Sequence, residues 1–239
     1  MKIVYCISAM FKSGGIERVI ANKVNYLVNH GYEACIITTD QAGHPDFFPI
    51  DERVERVDLG LNYDQFDELS PWKRYWKTYQ LRSQHKARLE AELKRLHADI
   101  TVSVWRQEAS FLPDLKDGSR KILELHTSKF APVRMYPVGS KLKRQFGHLR
   151  VAIQERVAAR YDRFVILTHE EKPFWKGFSN LSVIPNPLSF NSQKRADATA
   201  HRVMIAGRME YVKNFPELLQ IWARVAPDFP DWHLHIYGD

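Results

Sequence analysis

The chain has 239 residues, a net charge of +7, 44% hydrophobic residues and 26% charged residues. This composition is ordinary for a soluble globular protein, and the length suffices for one complete domain and part of another. No run of 18 apolar residues predicts a transmembrane helix, and Lys12 interrupts the first apolar run too early for a secretory signal. We therefore predict a cytoplasmic protein in which Cys6 and Cys35 are core thiols rather than a disulfide.

The positive charge is concentrated in two segments. Residues 71–98 hold eight Lys or Arg against two Asp or Glu, and residues 129–163 hold nine against two. The rest of the chain is therefore net negative, so the basicity calls for a local explanation. No RNA- or DNA-binding motif accompanies these charges, and we do not expect a nucleic-acid partner.

Short apolar strands alternate with helical stretches along the first 187 residues. A helix is predicted after the first strand because Ile16, Val19, Ile20, Val24 and Leu27 recur at helical spacing. The alternation predicts a doubly wound α/β domain, whose parallel strands are buried on both faces. The predicted strands are 2–8, 33–40, 55–60, 99–104, 120–126, 163–168 and 181–188.

The longest helical candidate, residues 71–98, carries two different stripes. An aromatic stripe occupies its first half, and a leucine stripe, turned by roughly 90°, occupies its second half. This predicts two helices, or one bent helix with two partners. The aromatic stripe, beside basic residues, is typical of an interfacial amphipathic helix, as is the segment 140–146. The alternative is that the aromatic residues pack in the core and the cations are solvated. The stripe and its cations are Trp72, Tyr75, Trp76 and Tyr79 with Lys73, Arg74 and Lys77.

A polar, non-periodic segment separates this first domain, 1–187, from a second one. Residues 188–201 are predicted to form the linker. Residues 202–239 then show one strand–helix–strand pattern, which cannot bury both of its faces by itself. We interpret this unit as the start of a second, truncated Rossmann-like domain.

A glycine pair lies between the first strand and the first helix. In "SGG", Gly14 and Gly15 permit close approach of a ligand to the backbone, and the following helix presents free N–H groups to an anion. The motif lacks the spacing of a dinucleotide or Walker loop. An ordinary tight turn between strand and helix explains it equally well.

Two cations lie in the corresponding turn of the second unit. Arg208 follows the end of a strand, and Lys213 precedes a helix that Asn214 would cap. Ligands of open α/β sheets bind at the carboxyl ends of strands, and a guanidinium, an ammonium and helix amides together suit a diphosphate. The alternative is two solvated loop cations.

Four segments, which follow one another along the chain in the family's order, resemble retaining glycosyltransferases of family 4, which have the GT-B fold. "GRMEYVKNFPELL" with "HIYGD" resembles their donor-binding segment, and "SGGIERV" resembles their N-terminal Gly-Gly loop. "ELHTS" places a histidine at a strand end, and "VIPNP" resembles their interdomain Ile-Pro-Asn-Gly, with Pro187 in place of the glycine. The resemblance spans the whole chain and implies a GT-B fold with two Rossmann-like domains.

The resemblance implies a role for each matched residue. Arg208 and Lys213 would bind the pyrophosphate of a UDP- or GDP-linked sugar and stabilise the departing diphosphate. Gly14 and Gly15 would bring backbone amides to the same group, and His126 would be the catalytic histidine that contacts the transferred sugar or the acceptor. The matched motifs contain no Asp-x-Asp, so we expect neither a metal nor another cofactor.

The resemblance also implies an acceptor and a location. The N-terminal domain would bind a glycan or lipid-linked acceptor, with Trp72, Lys73, Trp76 and Lys77 on the acceptor or membrane surface and peripheral contact with the anionic inner face of the cell membrane. The family's Glu-x7-Glu motif would follow position 239, so these 239 residues alone are expected not to catalyse transfer. Two alternatives stay open: an acceptor- or membrane-binding module without transfer activity, and a nucleotide-sugar epimerase of the GT-B type.

Overall fold

The structure is a computed structural model, and it divides the chain into two units with separate sheets. The first unit comprises residues 1–189 and the second comprises residues 190–239. The division falls inside the segment predicted to link two domains. The described residues are 1–136, 139–190, 193, 199–207, 209 and 213–238.

The first unit is built on seven parallel strands, which confirms the predicted doubly wound sheet. They lie in the order β3-β2-β1-β4-β5-β6-β7, so the direction of winding reverses between β1 and β4. Ligands of such sheets bind near this reversal, outside the carboxyl ends of the strands. The strands are β1 (Lys2–Ile7), β2 (Glu33–Thr38), β3 (Glu55–Asp58), β4 (Ile100–Ser103), β5 (Arg120–Leu125), β6 (Arg163–Ile166) and β7 (Leu181–Val183).

Four helices connect these strands: α1 (Gly15–Asn29), α2 (Pro71–Leu96), α3 (Ala131–Arg134) and α4 (Lys141–Ala158). The prediction of two separate helices over 71–98 is wrong, because α2 is continuous until His97 adopts a left-handed conformation with φ of 49°. The two stripes have different surroundings. The leucine stripe of the second half packs in the core, whereas the aromatic stripe of the first half faces solvent.

The helices cover the two faces of the sheet unequally. Leucines of α2 and Ala158 of α4 pack with Val4 and Cys6 on one face. On the other face, Ile20 and Val24 of α1 pack against the opposite side of β1. Cys6 and Cys35 are buried and free, as predicted.

The face that α1 covers contains a cavity of about 580 Å³. It extends from α1 across Val102 of β4 and Ile122 of β5 to Val165 of β6, and the segment 184–188 lines its far side. Within the described residues, this part of the sheet faces an exposed, proline-containing segment. Lys23 and Glu124 are the charged residues in its wall.

The second unit contains β8 (Arg202–Ala206), α5 (Phe215–Val225) and β9 (His233–Tyr237). The two strands are parallel, with Arg202 opposite His233. Phe215 is the one buried residue among those described in this unit, while Met204 and Ile221 are largely exposed. A two-stranded sheet with one helix leaves most of its apolar side chains uncovered.

Burial of His85 in α2 makes the stability of the first unit depend on pH. Its ring lies edge-on to Phe111 at 5.0 Å, and Nδ1 lies 3.1 Å from the Tyr63 hydroxyl. Burial, with the nearby charge of Arg82, lowers the pKa of His85 to about 4. The imidazole is therefore neutral in the folded protein at pH values where it is partly charged in the unfolded chain.

We predict that the wild-type protein loses stability as the pH falls from about 6.5 to about 4, because only the unfolded chain takes up a proton at His85 in this range. The His85→Gln variant should lack this pH-dependent loss of unfolding free energy, which amounts to about 3 kcal/mol when it is complete. Urea unfolding at a series of pH values compares the two proteins. Parallel pH profiles would contradict the prediction.

Candidate functional site

The candidate site lies at the carboxyl ends of β1, β4 and β5, which are adjacent in the sheet. The loop after β1 leads to α1 through Gly14 and Gly15, and His126 follows directly after β5. Because parallel strands share one carboxyl edge, the glycine pair and the histidine lie along the same edge of the sheet. The structure thus places three of the predicted site residues around the point where the strand order reverses.

Helix α1 begins without a side-chain cap. Gly14 occupies the N-cap position in an extended conformation (φ −82°, ψ 159°) and makes no capping hydrogen bond through a side chain. The first N–H groups of a helix have no partner within the helix, and they carry the positive end of its dipole. This end of α1 is consequently suited to bind an anion through backbone amides.

Glu17 explains why position 14 is a glycine. Its carboxylate folds back over Gly14, and a Cβ on Gly14 would lie 1.9 Å from Oε2 of Glu17. Gly15, by contrast, has no atom within 4 Å of such a Cβ. The buried carboxylate of Glu17 lies at the helix end where the free amides attract negative charge. Gly14 therefore permits close packing, whereas Gly15 leaves open space in front of the helix.

A chain of charged and polar groups joins α1 to the end of β5. The Lys23 ammonium donates to both carboxylate oxygens of Glu124, at 2.8 and 2.7 Å. The second oxygen of Glu124 also lies 3.1 Å from Nε2 of His126. Burial raises the pKa of Glu124, but the hydrogen bond from His126 and the charge of Lys23 outweigh it, so the pKa lies below its ordinary value. Glu124 is thus a buried carboxylate that is held ionised.

His126 is nearly enclosed by the protein. Its side chain is 3% exposed, and Nδ1 is buried without a hydrogen-bond partner among the described residues. Glu124 fixes the ring through Nε2, which leaves Nδ1 as the free polar atom. The proposed role of His126 as the catalytic histidine stays a prediction.

The structure describes one of the two cations of the second unit that were predicted to bind a diphosphate. Arg208 lies outside the described residues. Lys213 is exposed, and its side chain passes Gly207, where an added Cβ would lie 3.7 Å from Cε of Lys213. Asn214 is the N-cap of α5, as predicted, but it adopts a left-handed conformation, and its amide bonds Glu217 instead of a backbone amide. The lysine therefore lies between the end of β8 and the start of α5.

The aromatic stripe of α2 is a surface feature, and the alternative that it packs in the core is wrong. Trp72 and Trp76 are 68% and 47% exposed. Lys73 and Lys77 line the same shallow surface as these two rings. The rings contact one another, at 5.9 Å between centroids, rather than the core. No helix within the described ranges is both long enough and apolar enough to cross a bilayer.

Lys23 and Glu124 were not among the predicted site residues. A signal for Glu124 exists in the sequence, because it interrupts the apolar strand "KILEL" with a charge. A charge in a strand that is buried on both faces requires a partner. The partner itself lies 101 positions away, and no local pattern identifies it.

No family model matches the chain. It is 25% identical over 251 residues to an uncharacterized glycosyltransferase of Haemophilus influenzae, covering 99% of this chain and 62% of that protein. It is also 25% identical to the amylovoran biosynthesis glycosyltransferase AmsD of Erwinia amylovora, covering 100% of this chain and 62% of that protein. The chain thus spans less than two thirds of the length of these curated relatives.

Among solved structures, the crystal structure of TarM superposes with a TM-score of 0.70 at 12% identity. The match covers 99% of this chain and 71% of that one. A likeness at this level of identity concerns the fold. The predicted fold, a Rossmann-like doubly wound sheet of the GT-B type, is confirmed by this superposition and by the seven parallel strands.

We predict that Lys23→Met lowers the free energy of unfolding by about 3 kcal/mol, because it leaves the Glu124 carboxylate buried without a cation. The Lys23→Met/Glu124→Met double variant should recover part of this loss, which a urea-unfolding double-mutant cycle measures. Because folding lowers the pKa of Glu124, its carboxylate stabilises the folded protein at pH values above the pKa of this residue in the unfolded chain. This stabilisation is lost as the pH falls below that value. Lys176→Met, at an exposed lysine, is the control; equal effects of the two single variants would contradict the prediction.

Proposed function

We propose that the whole protein is a retaining glycosyltransferase of family 4. It transfers a sugar from a nucleoside diphosphate to a glycan or lipid-linked acceptor in the synthesis of a surface polysaccharide or lipopolysaccharide. The observation that carries this proposal is the uncapped start of α1 at Gly14 and Gly15, beside the point where the strand order reverses. The similarity to a glycosyltransferase of amylovoran biosynthesis supports the same class of reaction.

The donor diphosphate is the ligand that these groups suit. Backbone amides at Gly15 and the residues after it donate to phosphate oxygens, and Lys213 and Arg208 supply positive charge. One structure of TarM, which has the same fold, holds UDP. The base of the donor, uracil or guanine, is decided by parts of the pocket other than these phosphate ligands.

The cations have a chemical role as well as a binding role. In transfer, the bond between the anomeric carbon and the diphosphate oxygen breaks, and its electron pair stays on that oxygen. The acceptor hydroxyl forms the new bond to the anomeric carbon on the face from which the diphosphate leaves, and its proton passes to an oxygen of the leaving diphosphate. Lys213 and Arg208 stabilise the charge that develops on the leaving diphosphate, so the reaction as proposed uses no metal. His126, oriented by Glu124, contacts the transferred sugar or the acceptor through Nδ1.

The exposed aromatic residues of α2 are proposed to contact the acceptor or an anionic membrane surface. Trp72 and Trp76 supply apolar rings that are open to solvent, and Lys73 and Lys77 supply positive charge beside them. This arrangement favours a cytoplasmic protein that associates peripherally with the inner face of the membrane.

The two alternatives differ from this proposal in measurable ways. A binding module without transfer activity would bind an acceptor or a membrane but no nucleotide. An epimerase would convert the sugar of the donor in the absence of an acceptor. A transferase requires both substrates and releases a nucleoside diphosphate.

We predict that the protein binds UDP or GDP, as measured by calorimetry, and that Lys213→Met weakens binding about tenfold by removing a charged phosphate ligand. Arg224→Gln removes an exposed cation from the other end of α5 and should leave the affinity unchanged. Absence of nucleotide binding by the wild-type protein would contradict the proposed function. Equal affinities of the wild-type protein and Lys213→Met would remove the lysine from the site.

A further inference from the structure

A second cavity, lined by both apolar and polar side chains, lies between the turn after β4 and the middle of α4. Its volume is about 290 Å³, close to that of ten water molecules in the liquid, which accommodates one sugar ring with a phosphate or carboxylate group. Trp105 and Arg106 line one side, and Arg150, Ile153 and Gln154 of α4 line the other. None of the nucleotide-binding residues proposed above lines it.

The backbone at the entrance adopts an unfavourable conformation. Trp105 has a φ of 63°, a left-handed value that costs a bulky residue about 1–3 kcal/mol. The Trp105 N–H donates to Oγ of Ser103, whose hydroxyl donates to the buried Glu108 carboxyl at 2.6 Å. Because these bonds hold the turn, Trp105 and Arg106 are fixed at the edge of the cavity, two and three residues beyond the end of β4.

Two polar atoms around this cavity have no partner among the described residues. Nε of Arg106 is a buried donor and Oε1 of Gln154 is a buried acceptor, and neither forms a hydrogen bond. An unpaired buried polar atom costs about 1–3 kcal/mol. Both atoms are closed to solvent, so a ligand with an anionic oxygen and a hydroxyl group would satisfy them once the Arg106 and Gln154 side chains rotate towards it.

The cavity wall is positively charged and contains no Asp or Glu. Neither Arg106 nor Arg150 has a carboxylate within 4.0 Å among the described residues, whereas Arg160 nearby is paired with Asp114. Burial raises the pKa of Glu108, the acidic residue two positions after Arg106, and the charge of Arg106 acts in the opposite direction. Neither Arg106 nor Arg150 is therefore held in an ion pair within the described part of the chain.

Helix α4 is held in place to form its side of the cavity. A Cβ on Gly147 would lie 2.8 Å from the backbone of Pro132 and of Val133, so α3 packs directly on the backbone of α4. Arg150, one turn after Gly147, and Gln154, two turns after it, line the cavity. An apolar stripe on α4 also stays exposed, and it includes Leu142, Phe146 and Ile153.

We propose that this cavity binds an anionic sugar of the acceptor, with Arg106 and Arg150 on its phosphate or carboxylate group and Gln154 on a hydroxyl. The ring lies against Trp105. This inference rests on the proposed function, since it assigns a chemical class to the acceptor. The same anionic chemistry is present in a phospholipid head group, and the test separates the two sources.

The test measures binding of glucose 6-phosphate and of neutral glucose by calorimetry. The wild-type protein should bind glucose 6-phosphate and should bind glucose at least about tenfold more weakly. Arg106→Gln and Arg150→Gln should each weaken binding of glucose 6-phosphate about tenfold. Arg156→Gln, an equal charge change at an exposed position of α4 outside the cavity, should not. Arg106→Lys keeps the charge but loses the guanidinium fork, and it checks that an effect at position 106 is not a failure to fold.

Sedimentation with phosphatidylglycerol and phosphatidylcholine vesicles is the second arm. If Arg106→Gln and Arg150→Gln abolish a preference for phosphatidylglycerol that Trp72→Ser/Trp76→Ser retains, the anion is a lipid head group at this cavity. If Arg106→Gln and Arg150→Gln change neither the affinity for glucose 6-phosphate nor the binding to phosphatidylglycerol vesicles, the proposal is overturned. UDP affinity, measured on the same proteins, distinguishes the failure of this site from the failure of the proposed function, because the arginine variants should bind UDP as the wild type does.

Discussion

The ion pair between Lys23 and Glu124 is the interaction on which the arrangement of the candidate site depends. It joins α1 to β5 across the face of the sheet that α1 covers. A buried carboxylate without a cation is strongly unfavourable, so this pair fixes where α1 lies relative to the strands. The start of the same helix carries Gly14 and Gly15, and the same carboxylate orients His126. One interaction therefore positions both the proposed anion-binding amides and the proposed catalytic histidine.

Several unfavourable features of the first unit are found where ligands are proposed to bind. They include the left-handed Trp105, the unpaired atoms of Arg106 and His126, and the uncapped start of α1. A core optimised for stability alone would pair or remove the first three, since each costs of the order of 1–3 kcal/mol, whereas a glycine in place of a capping side chain costs much less. All four lie in loops at the carboxyl ends of β1, β4 and β5, on a sheet whose strands are apolar. The stability of the sheet offsets the cost of the site.

The sequence predicts the sheet well because each buried parallel strand is a continuous apolar run, as in 33–40, a pattern that depends on neighbouring residues only. It predicts α2 poorly, since a stripe of aromatic residues looks the same whether it faces the core or solvent. The sequence does not identify Lys23 or Arg106 as site residues. The partner of Lys23 lies far along the chain, and the unpaired atom of Arg106 is evident only in the folded structure. The glycine pair and His126 are correctly placed at the carboxyl edge, whereas their roles depend on a ligand.

The central claim is that the start of α1 binds the diphosphate of a nucleotide. Amide NMR spectra of the ¹⁵N-labelled protein, recorded with increasing UDP or GDP, test it most directly. The largest shifts should occur at the amides of Gly15, Ile16 and Glu17, while amides at the far end of α1 should change little. Saturable nucleotide binding that leaves these three amides unchanged would contradict it.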